Sequence, residues 1–155
     1  MPTLESPERP DQPDRPGRQG RPDLLDLQDL CDSASLVERG AARVFDVLVW
    51  RQPARAFALR FDGRVVCYVN RCAHVPVEMD WQPGRFLDMD QRWIICSVHG
   101  ASYEPTDGRC VGGPCARGKL MPIVTAEREG RVCWYPSANI QPLGLIASLP
   151  TESSP

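Results

Sequence analysis

Histidine is the scarcest chemically versatile residue in this chain of 155, with only His74 and His99 present. Long apolar runs are missing as well. A membrane-spanning helix needs ~18 consecutive apolar residues, and the longest candidates, Val44–Trp50 and Leu143–Leu149, are strand-sized. Excess positive charge is lacking: 18 Lys and Arg against 20 Asp and Glu give a net charge of −2. That balance argues against a nucleic-acid partner, whose binder would carry a basic face. The first residues hold no apolar core of a secretory signal, so a cytoplasmic protein is the simplest expectation. No internal repeat is visible, and no G-x-G-x-x-G follows a candidate strand, so no dinucleotide fingerprint is present. The seven cysteines are an odd number, which disfavours a closed disulfide framework. In a reducing compartment clustered cysteines more often bind metal or do redox work.

Residues 1–22 hold 6 of the 16 prolines and one large aliphatic residue after Met1, namely Leu4. Such a segment cannot bury enough apolar surface to offset its ordering entropy and is expected to be disordered. The C-terminal stretch 143–155 reads as a tail, although Leu143, Leu145 and Ile146 could pack on the domain edge. Between them lies one domain, residues 23–142, with strand patterns at 43–49, 56–61, 64–69, 92–96, 119–125 and 131–135. Asp62-Gly63 and Glu129-Gly130 are hairpin signals, and Asp107-Gly108 marks a further turn. A weak helical pattern covers 23–31 (DLLDLQDLC). The expected fold class is all-β, built from several small antiparallel sheets.

Both histidines follow a cysteine closely. Cys72-Ala73-His74 is separated by 21 residues from Cys96-Ser97-Val98-His99-Gly100, and each pair lies just past a candidate strand. Two thiolates and two imidazoles can hold a [2Fe–2S] cluster in which two histidines replace two cysteines on one iron. They can equally form a tetrahedral Cys₂His₂ zinc site. Structural zinc normally takes a Cys-Cys knuckle and a His-His pair from separate elements, whereas here each loop offers one ligand of each kind. Unrelated core cysteines and histidines are the third possibility. Gly112-Gly113-Pro114 follows 13 to 15 residues after His99. It is a side-chain-poor, stiff stretch of the sort that covers a partly exposed cluster.

These residues, together with Tyr103 and Asp107-Gly108, resemble the Rieske [2Fe–2S] family over about residues 43–137. The resemblance implies three small antiparallel sheets and a cluster-binding subdomain at about 70–118. It implies one [2Fe–2S] cluster, with Cys72 and Cys96 on the inner iron and His74 and His99 on the outer one. Gly100, Ala101, Tyr103, Gly112, Gly113 and Pro114 would form its surroundings and cover. The chain is most similar to soluble Rieske ferredoxins and small ferredoxin-like subunits serving nitrite reductases or ring-hydroxylating oxygenases. Their partners would be a reductase and an oxygenase or other terminal oxidoreductase.

Departures from the family pattern narrow the expectation. Rieske subunits of cytochrome bc complexes join their two cluster loops by a disulfide, but Val77 and Val98 stand at the matching positions. Ala101 replaces a serine whose hydroxyl donates to the cluster, which lowers the expected potential, while the Tyr103 phenol could donate to Cys72 and raise it. Residues 78–90 form an insertion, expected to be a packed loop. Cys110 and Cys115 flank the Gly-Gly-Pro stretch, where two small buried side chains are expected slightly ahead of a disulfide. Cys67 and Cys133 read as core residues. No histidine remains for the mononuclear iron of an oxygenase subunit, so the chain reads as a one-electron carrier rather than an enzyme. A redox- or cluster-sensing regulator is the alternative from another class, and a structural zinc module a further one.

Overall fold

A computed structural model describes residues 27–143. Ten strands follow one another: β1 (Gln28–Asp32), β2 (Arg43–Val49), β3 (Gln52–Phe61), β4 (Arg64–Val69), β5 (Ile94–Ile95), β6 (Ser102–Tyr103), β7 (Cys110–Gly112), β8 (Thr125–Arg128), β9 (Arg131–Trp134) and β10 (Ile140–Pro142). They form three antiparallel sheets in the orders β1-β9-β8, β10-β2-β3-β4 and β5-β6-β7. The all-β expectation holds.

The middle sheet is the frame. Its β3–β4 hairpin turns at Asp62 and Gly63, both left-handed at φ 54° and 79°, the pair of conformations that a two-residue hairpin requires. Strand β3 is buried on both faces, which explains why Ala56–Leu59 does not alternate cleanly with polar residues. Phe57, Leu59 and Phe61 point into one apolar cluster with Tyr68, Met79, Phe86 and Ile94. Ala56 and Ala58 point the other way, into a second cluster with Val47, Val49, Cys67, Val69, Val132, Trp134 and Ile140. The first cluster underlies the two candidate ligand loops; the second joins the outer sheet to the frame. Cys67 is a core residue, as expected, and Cys133 is also buried.

Three expectations are corrected. Residues 28–31 of the helical pattern lie in β1, which pairs with β9 and is held by Arg131 on Asp29 and Asp32; sheet pairing overrides a weak local preference. Residues 119–125 form only isolated bridges, Lys119 with Arg109 and Pro122 with Tyr68, before β8 begins at Thr125. Pro122 has no N–H for a continuous ladder. Within 92–96 only Ile94 and Ile95 are strand. The tail expectations for 1–22 and, apart from Leu143, for 143–155 lie outside the described residues.

Candidate metal centre

Strand β4 delivers the first loop and β5 the second. The first is closed by the Cys72 amide donating to Val77 O at 3.0 Å. The second is pinched between β5 and β6, with the Cys96 amide on Ala101 O at 2.8 Å and the Gly100 amide on Cys96 O at 2.9 Å. A bond from the Ser97 amide to Met79 O ties it to the 78–90 segment. That segment is packed, as expected: Met79, Phe86 and Leu87 are buried, and Phe86 stacks on Phe57 at 3.7 Å between centroids. Sequence reading passed over Asn70, whose side-chain oxygen accepts the Met79 amide at 2.8 Å while its amide donates to Asp80 at 3.1 Å. Nothing in the sequence marked it, because its partners meet only once the loops fold.

The four candidate ligands are sorted by depth. Cys72 and Cys96 are 3% and 0% exposed, whereas His74 and His99 are exposed. The two imidazoles stand edge to face, 5.0 Å apart between centroids. The two sulfurs lie close enough to influence one another's charge, and neither is in a disulfide. Backbone amides of His74 and Val75 point at Cys72, and those of Val98 and His99 at Cys96. Burial pushes the Cys72 thiol up, but hydrogen bonds from the Tyr103 phenol, these amides and Cys96 prevail, and its net shift is downward. Cys96 moves upward, through burial and through its sulfur neighbour. Ionising both sulfurs so close together in a buried site would be costly unless a shared cation neutralised them.

Among the described residues, no three His, Cys, Asp or Glu donors gather as closely as one ion requires. The donors are instead grouped as a sulfur pair below and an imidazole pair above. This arrangement suits a two-iron core, with thiolates on one iron and imidazoles on the other, better than a single tetrahedral zinc.

Tyr103 is fully buried beneath the first loop. Its hydroxyl lies 3.2 Å from Cys72 Sγ and accepts the Ala73 amide at 2.9 Å. Its proton is therefore free for the sulfur, and burial, then the sulfur, push its pKa up. Ala101 is also fully buried. The adjacent Ser102 does not replace the missing hydroxyl, because its Oγ turns back to Gly100 O at 3.3 Å.

The Gly-Gly-Pro stretch lies against the second loop. Gly113 has φ +79°, and a Cβ there would sit 2.8 Å from Gly100 O and 2.9 Å from Ala101 Cα. Only glycine fits. Gly118, which sequence reading did not single out, approaches Ala73 in the same way, its would-be Cβ 2.7 Å from the Ala73 methyl. Cys110 and Cys115 are joined in a disulfide across this stretch. The expectation of two unpaired thiols is thereby corrected: β7 and the short turn at Gly113–Cys115 bring their Cα atoms to 5.8 Å, within bonding range.

The family model of the Rieske [2Fe–2S] domain matches residues 26–140. The chain belongs to this family. Its cofactor is a single [2Fe–2S] cluster. Comparison with curated proteins finds no match. Among solved structures, this Rieske domain is similar to the ferredoxin of carbazole 1,9a-dioxygenase from Nocardioides aromaticivorans IC177, at 15% identity and TM-score 0.56 over 72% of this chain and 98% of that one. It is similar to the terminal oxygenase of the same system, at 20% identity and TM-score 0.55 over 81% of this chain and 34% of that one. A chain in the reduced complex between oxygenase and ferredoxin of carbazole 1,9a-dioxygenase matches at 21% identity and TM-score 0.55, over 70% of this chain and 28% of that one. The match thus spans about a third or less of the last two chains. At such identities the likeness is one of fold.

Proposed function

We propose that this protein is a one-electron carrier between a reductase and a terminal oxidoreductase, with an oxygenase as the favoured acceptor. The observation that carries the reading is the sorting by depth, two buried sulfurs beneath two exposed imidazoles. Cys72 and Cys96 would hold the inner iron and His74 and His99 the outer one, and the cluster supplies reversible one-electron chemistry. Around it the chain's own residues do the rest. Backbone amides and Tyr103 stabilise charge on the sulfurs, Ala101 and Gly113 seal the second loop, and the histidine edge faces partners. The similar solved structures that are themselves ferredoxins or ferredoxin–oxygenase complexes support the choice of acceptor. The domain would comprise residues 23–142, with its cluster subdomain at about 70–118.

Purified protein should be red-brown, with about two irons and two sulfides per chain and a rhombic EPR signal once reduced. A colourless protein with one zinc would refute the proposal. Replacing His99 with Cys should retain some cluster at a lower potential, because a thiolate adds negative charge. An unchanged potential would remove His99 from the ligand set.

No helix among the described residues is long and apolar enough to cross a membrane. A cytoplasmic location is supported by the five unpaired cysteines, all buried. The Cys110–Cys115 disulfide must then persist among reducing thiols. Counting alkylatable thiols in protein trapped from cells and then denatured tests this, with a disulfide lost in the cell or a secreted product as the contrary outcomes.

A further inference from the structure

Beside the first ligand loop lies a groove of about 340 Å³, lined by Trp50, Arg71, His74, Pro76, Lys119 and Met121 among others. Its lining contains two cations and no carboxylate. Arg117 sits in the turn that packs on Ala73, and Arg51 neighbours Trp50 at the tip of the β2–β3 hairpin. Arg51, Arg71, Arg117 and Lys119 form no side-chain ion pair or hydrogen bond among the described residues. Of the nearby acids, Glu78 is paired with Arg55 and Asp107 with Arg109 and, at longer range, Lys119, while Asp80 keeps its charge on neutral partners, Asn70 and the Gly84 amide; one free carboxylate stands against four cations. The cluster face is therefore locally positive on a chain whose net charge is −2.

The hairpin tip adds a second, independent observation. Its two turn residues are left-handed, Trp50 at φ 47° and Arg51 at φ 67°. Asn-Gly or Asp-Gly normally occupies such a turn, and a bulky residue there is strained. Trp50 nevertheless stands there, 57% exposed, and lines the same groove as His74. An exposed aromatic in a groove that also holds Arg71 and Lys119 has the composition of a docking anchor.

We infer that this groove is the docking site for an acidic redox protein, whose carboxylates meet Arg71 and Lys119 while an apolar side chain covers Trp50. The inference rests on the electron-carrier reading and specifies its partner's charge. Local charge near the transfer edge, rather than net charge, sets the salt dependence of encounter.

The test uses the reduced holoprotein and two small oxidants of opposite sign, anionic hexacyanoferrate(III) and cationic tris(phenanthroline)cobalt(III). In each reaction one electron leaves the protein and reduces the oxidant's metal from the trivalent to the divalent state. Raising salt from about 10 mM to about 1 M shortens the Debye length from roughly 30 Å to 3 Å. It should slow the anionic oxidant about tenfold and speed the cationic one. The double variant Arg71→Glu/Lys119→Glu should reverse both signs. A change in potential would move both oxidants together, so opposite movements isolate the charge effect. A third probe, the hydroquinone of an acidic flavodoxin, should reduce the oxidised protein about tenfold more slowly when Trp50 is replaced by Ala, while the small oxidants are unaffected.

Acceleration of hexacyanoferrate(III) by salt in the wild type, as net charge alone dictates, would overturn the inference. So would an Arg71→Glu/Lys119→Glu variant with unchanged rates, or a Trp50→Ala variant unchanged towards flavodoxin. If the purified protein holds no cluster or cannot be cycled by any of the three probes, it is the carrier reading that falls.

Discussion

Tyr103 illustrates how one side chain tunes the site. Its oxygen accepts the Ala73 amide, which leaves its proton for Cys72 Sγ, so with Cys72 on the cluster it would stabilise the more negative, reduced state. A hydrogen bond worth about 1 kcal/mol corresponds to roughly 40 mV for a one-electron couple. Tyr103→Phe should therefore lower the potential by about 40 mV, measured by protein-film voltammetry; an unchanged potential would mean that the phenol does not serve the sulfur. Ala101→Ser should shift it the other way if a hydroxyl there reaches the cluster. With one donor present and one absent, the wild-type potential should lie in the lower part of the Rieske range of about −150 to +300 mV. A value above about +200 mV would refute that expectation. Cys72, His74, Cys96 and His99 were legible as candidate ligands because both histidines sit close after cysteines in short, separated motifs. Trp50, Asn70 and Gly118 were not, because their roles arise from contacts that only the folded loops create.

At the scale of elements, the 78–90 segment is anchored by the Phe86–Phe57 stack and by Met79. Phe86→Ala should cost about 3–5 kcal/mol in chemical denaturation, and should loosen the second loop through the Ser97–Met79 bond. Glu104, at the end of β6, is buried and paired with Arg92, and accepts from the Thr106 amide and hydroxyl. Burial pushes its carboxyl up, but Arg92 and Thr106 prevail and hold it below the usual range. Because the folded value is the lower one, its stabilisation is present above the unfolded value of about 4.3 and is lost as pH falls through the folded one. Glu104→Gln should remove about 1–2 kcal/mol at neutral pH and flatten stability in the acid limb; an acid limb identical to wild type would contradict this. The β3–β4 hairpin and strand β9 were readable because β-rich runs flank the Asp62-Gly63 turn and follow the Glu129-Gly130 turn; the β2–β3 turn at Trp50 and Arg51 carries no turn residue and was not. β1 and the 119–125 stretch were not: one depends on a distant partner strand, and Pro122 interrupts the ladder of the other.

For the molecule as a whole, the two candidate ligand loops are carried between β4 and β8, while the first and last strands, β1 and β10, form edges of the outer and the middle sheet. The side-chain bond from Arg131 to Asp29 spans 102 positions, and β10 returns to pair with β2. Such separations are costly to close before any contact rewards them. They place this domain among slow-folding β topologies, with refolding expected in milliseconds to seconds. A stopped-flow refolding time in microseconds would contradict that. The order of synthesis then matters for how the protein matures. Cys72 and Cys96 are made and exposed well before β9 exists to pair with β1. During that interval the sulfurs are within reach of oxidants, and of Cys110 and Cys115 as wrong partners. Timely delivery of iron and sulfide, rather than final stability, should govern how much of the protein reaches its working form.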